Sequence, residues 1–301
     1  MKRKRLISML VTVVILFSIG LNVSGEDFCY NFPELRLGRY SVGYKVIPMV
    51  DNSRSFSKKL SYSGVADTNT NRPVQYHIWY PAMANPGDTP MTYAEYIGST
   101  FIPKERSMVN DYLRQVMLRD YKAEMTERGA DESLLEIILS SRTHAYMNIP
   151  GFPGKFPLII YAPSINSNPY ENSLLIEFLV SHGYVVVSSP GFGLHSFEVT
   201  RDMRGLMAQF GDLMFLLAQS WDNPMVDHTR IGTIGFSWGG LSNILLAMDN
   251  YNIDAVVSLD GAGSIADYLN LLKQMPQYHV NNMTAAYLQF VPAGQKRNSS
   301  N

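Results

Sequence analysis

After Pro157 the chain runs through short, wholly apolar segments separated by helical stretches, and this pattern restricts the fold more than any other feature. Leu158-Ile159-Ile160-Tyr161 and Tyr184-Val185-Val186-Val187 lack the apolar–polar alternation of a half-exposed strand, so each reads as a strand buried on both faces. Ile231 to Gly235, Ala255 to Leu259 and Ala286 to Val291 continue the series. One intervening helix runs through Leu174, Leu175, Phe178 and Leu179 and ends at Gly183. A long one carries Val199, Met203, Leu206, Phe210, Met214 and Leu217 on one face and stops at Asn223-Pro224, and a third spans Leu241 to Met248. Strands joined through helices give a mainly parallel sheet covered by helices on both faces, an α/β class.

Upstream the texture differs. Val42, Tyr44 and Val46, then Tyr76-His77-Ile78-Trp79-Tyr80, predict two early antiparallel strands, separated by a polar stretch from Asp51 to Arg72. A helical insert at about 92–141 follows. Val109, Tyr112, Leu113, Val116, Met117 and Tyr121 recur at helical spacing, and Leu134, Leu135, Ile137 and Ile138 form a second short helix. Its Met and aromatic residues suit either an apolar ligand or simple core packing.

Residues 1–25 are read apart from the fold. Lys2-Arg3-Lys4-Arg5 precede an apolar run from Leu6 to Leu21 and then Asn22-Val23-Ser24-Gly25, the pattern of a secretory signal peptide. The run is broken by Ser8, Thr12 and Ser18 and falls short of the ~20 residues of a spanning helix, although an uncleaved anchor is the alternative. Lipidation at Cys29 is disfavoured by the acidic, bulky Glu26-Asp27-Phe28 before it. Cleavage removes four positive and no negative charges, taking the net charge from −1 to −5. That balance offers no basic field for nucleic acid. The single cysteine excludes an internal disulfide, and no Cys/His cluster has zinc-ligand spacing. The expectation is an exported (periplasmic or secreted) protein with its domain at 26–301 and no stable membrane span after cleavage.

Chemistry enters at Gly235-Phe236-Ser237-Trp238-Gly239-Gly240, between the third buried strand and its helix. A serine on so sharp a strand-to-helix turn needs glycine two residues to either side, where side chains would collide with sheet and helix. The turn sets the hydroxyl at the carboxyl edge of the sheet, beside a helix N-terminus that favours negative charge. A bare G-x-S-x-G is weak; a buried strand before it and a helix after it make it strong. The plain reading is a serine in an ordinary β-to-α turn.

With these residues in place, the segment from Phe156 to Val291 resembles the α/β-hydrolase superfamily. It is most similar to the serine esterases of the platelet-activating-factor acetylhydrolase and dienelactone-hydrolase-like group. The likeness rests on Phe156-Pro157-Leu158-Ile159-Ile160-Tyr161, Ser181-His182-Gly183-Tyr184-Val185-Val186-Val187, Arg230-Ile231-Gly232 leading into the elbow, and Ser258-Leu259-Asp260-Gly261. Dienelactone hydrolases proper carry cysteine as nucleophile, so Ser237 sides with the esterases. Asp260 closes an apolar strand at the same sheet edge and matches the acid of the acetylhydrolase group; its alternative role is a helix cap. The resemblance implies oxyanion donors at the Trp238 amide and, in the loop Ala162-Pro163-Ser164-Ile165-Asn166, at the Ile165 amide. The family often has His-Gly where Pro163-Ser164 stands, and a plain surface loop is the other reading. No metal or organic cofactor is required, and the implied partner is a small-molecule ester or lipid-like substrate.

The catalytic base is the unmatched part. The family places its histidine after the last strand, and beyond Val291 the chain reads Pro292-Ala293-Gly294-Gln295-Lys296-Arg297-Asn298-Ser299-Ser300-Asn301. The expected last strand and helix are therefore also missing, which leaves a hydrophobic sheet edge. Of His77, His144, His182, His195, His228 and His279, only His195 and His279 lie in loops able to reach the site. His182 and His228 read as surface residues. Loss of the base from a serine triad lowers turnover about 10⁶-fold. The rival to an active esterase is thus an inactive or truncated hydrolase shell acting as a binding module.

Overall fold

In the computed structural model the described residues are 35–57, 69–99, 111–194, 198–260 and 266–291. Residues 1–25, Cys29, His195 and the segment after Val291 lie outside them. Strands β1 (Ser41–Ser57), β2 (Asn69–Ala82), β3 (Ala145–Met147), β4 (Phe156–Ala162), β5 (Val185–Ser188), β6 (Val226–Phe236), β7 (Ala255–Leu259) and β8 (Ala286–Phe290) form one eight-stranded sheet in the order β3-β1-β2-β5-β4-β6-β7-β8. From β5 to β8 all neighbours are parallel, while β1 with β2 and β2 with β5 are antiparallel. The mainly parallel sheet and the two antiparallel early strands are as expected.

The pleat sorts the side chains. Leu158, Ile160, Val185 and Val187 join one buried cluster with Leu213, Leu216 and Leu246, whereas Ile159, Tyr161 and Val186 join another with Ile176, Tyr96 and Leu135. Alternate residues of one strand therefore serve opposite faces, which is why these segments are apolar throughout. Helices α5 (Met203–Ser220) and α6 (Trp238–Asp249) cover the first face. The second is covered by α4 (Ser173–Ser181) and by the insert, made of α1 (Tyr93–Ser99), α2 (Asp111–Glu127) and α3 (Glu132–Ser140). A bridge between Thr92 and Arg142 closes the base of the insert.

Some local expectations shift. The polar stretch after Asp51 is not a plain separator: β1 continues to Ser57 and β2 begins at Asn69. The long helix starts at Met203 instead of Val199, because the Asp202 carboxylate accepts the Gly205 N–H and caps it. His228 lies within β6, stacked on Trp221 at 4.5 Å between ring centroids. The short strand β3 and a further helix, α7 (Ala266–Lys273), were not read from the pattern. On β8, the sheet edge among the described residues, Tyr287, Leu288 and Phe290 are exposed.

The insert is fastened to the sheet through one buried carboxylate. Glu177 of α4 accepts the Tyr96 hydroxyl at 2.7 Å and the His144 backbone N–H at 2.9 Å, and Tyr96 in turn accepts Trp79 Nε1 at 2.9 Å. Burial pushes Glu177 from 4.5 up to about 8. The folded chain then holds a proton that the unfolded chain releases, so this group's stabilisation is full below pH 4.5 and falls as pH rises toward 8. Glu177→Gln is uncharged, as the neutral acid is, and does not titrate. Thermal melts should show the variant gaining on the wild type steadily between pH 4.5 and 8; a constant difference would contradict this.

Candidate active site

Parallel strands deliver their carboxyl ends to one edge, and the strand order reverses at β4, with β5 on one side and β6 on the other. A crevice forms where chain direction diverges in this way. The loops after β4 and β5, Ser237 after β6 and Asp260 after β7 all emerge at that edge.

Ser237 has φ 51° and ψ −111°, a combination open to few L-residues. Such strain costs about 1–3 kcal/mol and persists only where surroundings over-determine it. Here the Ser237 N–H is held by the Leu259 carbonyl at 2.9 Å, and the Ser237 carbonyl accepts the Gly240 N–H at 3.1 Å. The flanking glycines follow from packing. A Cβ on Gly235 would stand 2.5 Å from Gly239 backbone, and one on Gly239 would stand 2.1 Å from the Ala162 carbonyl oxygen. Any side chain at either position would force α6 away from β6 or from the loop after β4.

Asp260 is the neighbour of Ser237 in the ladder, since Phe236 and Leu259 are register partners and the next residues leave both strands together. It too has a positive φ, 46°. Its carboxylate is half-buried, and burial moves it above the ordinary carboxylate range. None of the described histidines is hydrogen-bonded to Ser237 or Asp260. His77 is sealed in the core between Tyr44 and Gln75 and is pushed by burial down to about 3, which removes it as a base. His182 caps α4 against the Phe178 carbonyl, and His228 sits at the amino end of β6, away from the crevice. His279 is exposed ahead of β8, which enters the sheet at the edge opposite Asp260.

The amides around the serine can be sorted by elimination. Trp238 is the first residue of α6, so its N–H has no intrahelical acceptor. In the loop after β4, Ala162 is paired with Gly235, Pro163 has no N–H, Ser164 donates its N–H to Glu171 Oε1 at 2.7 Å, and Ser167 donates to the Ser164 carbonyl. Among the described residues this leaves the Ile165 and Asn166 amides without an acceptor. Ile165, the donor expected from sequence, is one of these two.

Sequence reasoning missed what holds this loop. Glu171, in the 3-10 turn Pro169–Asn172, collects the Ser164 N–H, the Ser164 hydroxyl at 2.6 Å and the Tyr161 hydroxyl at 2.7 Å. The Asn166 side chain accepts the Val199 N–H at 2.6 Å, and Gln209 Nε2 donates to the Pro163 carbonyl at 2.8 Å. Gln209 and Asp212 interrupt the apolar face of α5, and that was the available signal. No group of His, Cys, Asp and Glu suited to a metal occurs among the described residues.

No protein-family model matches the sequence, and no curated protein is similar to it. Solved structures do match. A ferulic acid esterase from Streptomyces cinnamoneus superposes with a TM-score of 0.50 at 23% identity, covering 77% of this chain and 62% of that one. The chain has an α/β-hydrolase fold. This α/β-hydrolase chain spans less than two thirds of that esterase's length. An acylaminoacyl peptidase from Pyrococcus horikoshii aligns over 46% of this chain and 28% of its own, at 20% identity and a TM-score of 0.37, an overlap too partial to bear on the fold. Ser237 occupies the strained turn at the end of β6, with Trp238 next in the chain and Asp260 at the end of the neighbouring strand β7.

Proposed function

We propose that this protein is an exported serine hydrolase that cleaves carboxylic esters through an acyl-enzyme on Ser237. The observation that carries the reading is the strained Ser237 backbone, wedged by two glycines that admit no side chain. Ser237 Oγ attacks the ester carbonyl while a base takes its proton. The tetrahedral oxyanion accepts the Trp238 and Ile165 N–H groups, and its collapse expels the alcohol, which leaves with that proton. Water then cleaves the acyl-serine by the same route. Asp260 orients the base; of the two candidates read from sequence, His279 lies ahead of β8 at the opposite edge of the sheet, which leaves His195 as the candidate in this chain. The substrate class is a small ester or a lipid-like one, and the leader at residues 1–25 directs export.

A second reading, a hydrolase shell that binds without turnover, is favoured by the lack of a histidine bonded to Ser237 or Asp260 among the described residues. Incubation with a fluorophosphonate probe separates the two. The esterase reading predicts a covalent adduct mapped by mass spectrometry to Ser237. Folded protein that stays unlabelled, or is labelled elsewhere, supports the shell.

A further inference from the structure

Resting on the reading of Ser237 as an acyl-transfer nucleophile, we propose that Gln209 is a positioning residue that sets the separation of the two oxyanion amides. Those amides come from different parts of the chain: Trp238 begins α6, and Ile165 lies in the loop after β4. Gly239 lets their backbones approach closely, and a side chain from a third element ties them together at that approach. Gln209, midway along α5 and only 2% exposed, is hydrogen-bonded to both. Its Nε2 donates to the Pro163 carbonyl at 2.8 Å, two residues before Ile165, and its Oε1 accepts the Ser242 hydroxyl at 2.6 Å. Ser242 stands on α6, one turn beyond Trp238, so the rigid helix carries its position to the Trp238 amide.

The joint is tight on its other sides. The Pro163 carbonyl oxygen would lie 2.7 Å from a Cβ on Gly239, and a Cβ on Gly191 would stand 3.7 Å from Gln209 Nε2 and 3.6 Å from the Ser164 carbonyl oxygen. Pro163 therefore sits between helix backbone and the Gln209 amide, with φ fixed by its ring. Glu171 shapes the same loop from within, through Ser164 and Tyr161, both of which lie outside α6. A buried amide on an apolar helix face is costly unless both its ends are bonded. Here each end is bonded, one to each half of the oxyanion site.

Oxyanion donors act only when held close to the position the charge will occupy, and a displacement near 1 Å costs on the order of 10²-fold. Gln209→Met keeps the volume and removes both bonds. The expected result is a roughly 10- to 100-fold fall in kcat per titrated active site with KM within about twofold, because substrate carries no oxyanion before attack. Phenylboronate affinity should fall in parallel, and amide exchange across residues 162–168 should quicken. Ser242→Ala, a milder change, should give a smaller loss. The double variant should be no worse than Gln209→Met, since both cut one crosspiece.

A merely structural Gln209 would lower the melting temperature and the titratable fraction but leave kcat per site unchanged; that result overturns the proposal. So does unaltered exchange in residues 162–168 of the variant. If Ser237→Ala leaves ester turnover unaltered, the nucleophile reading falls, and the exchange result still decides whether Gln209 holds the loop.

Discussion

Asp212→Asn is expected to destabilise the protein by about 3–5 kcal/mol, the largest loss from any single charge in the described residues. Asp212 lies in α5 with its side chain 4% exposed and takes Arg72 in a two-pronged grip, Nε to Oδ1 at 2.6 Å and Nη2 to Oδ2 at 2.5 Å. Arg54 adds a third bond at 2.8 Å and also binds Asp51. Asparagine keeps the shape and removes the charge, leaving the Arg72 guanidinium, 1% exposed, without its counter-ion. Breaking a buried pair on one side costs far more than the pair's net contribution, because the desolvated partner stays behind.

The damage should reach the crevice. Arg72 also donates to the Phe192 and Gly193 carbonyls at 2.9 and 2.8 Å, fixing the loop after β5 next to the loop that carries Ile165. Urea denaturation provides the number, with Arg230→Gln as the control. The Arg230–Asp227 pair has a side-chain exposure of 58% on the arginine, and its loss should stay within about 1 kcal/mol. Equal small losses for both variants would mean that water reaches Asp212. Replacing Arg72 and Asp212 together by apolar residues should recover much of the single-variant loss.

The same cluster explains which parts of this molecule are legible in its sequence. Leu158 to Tyr161 announces itself because a strand buried on both faces must be apolar throughout, and Gly235 and Gly239 announce the elbow because contact distances there exclude a Cβ. Both are local constraints. The polar stretch after Asp51 reads as a separator because its partner, Asp212, lies well over a hundred residues away, and only tertiary structure pairs them. Gln209 is hidden by distance along the chain as well, whereas Glu171 is near its partners Ser164 and Tyr161 but bonds them only once the intervening loop turns back. Each is an ordinary polar residue until the loop after β4 is folded against it. The strand Ala145–Met147 is too short to show a period.

Asp260 shows where local and tertiary information meet. Its place at the end of an apolar strand was readable, and the register with β6 sets its backbone beside Ser237. The sequence also left open the plainer role of helix cap, and the choice between acid and cap is one of chemistry, not position. The Asp260 carboxylate is half-buried and is raised by desolvation.

The most direct test of the central claim is hydrolysis of a short-chain chromogenic ester by the purified protein, wild type beside Ser237→Ala. The account predicts turnover in the wild type that falls roughly 10⁶-fold, to the background rate, in the variant, with both proteins folded. His195→Ala, with His279→Ala as its control, would then identify the base. Equal rates in the two proteins, or no turnover by folded wild type, would contradict the assignment of Ser237 as the nucleophile of an active esterase.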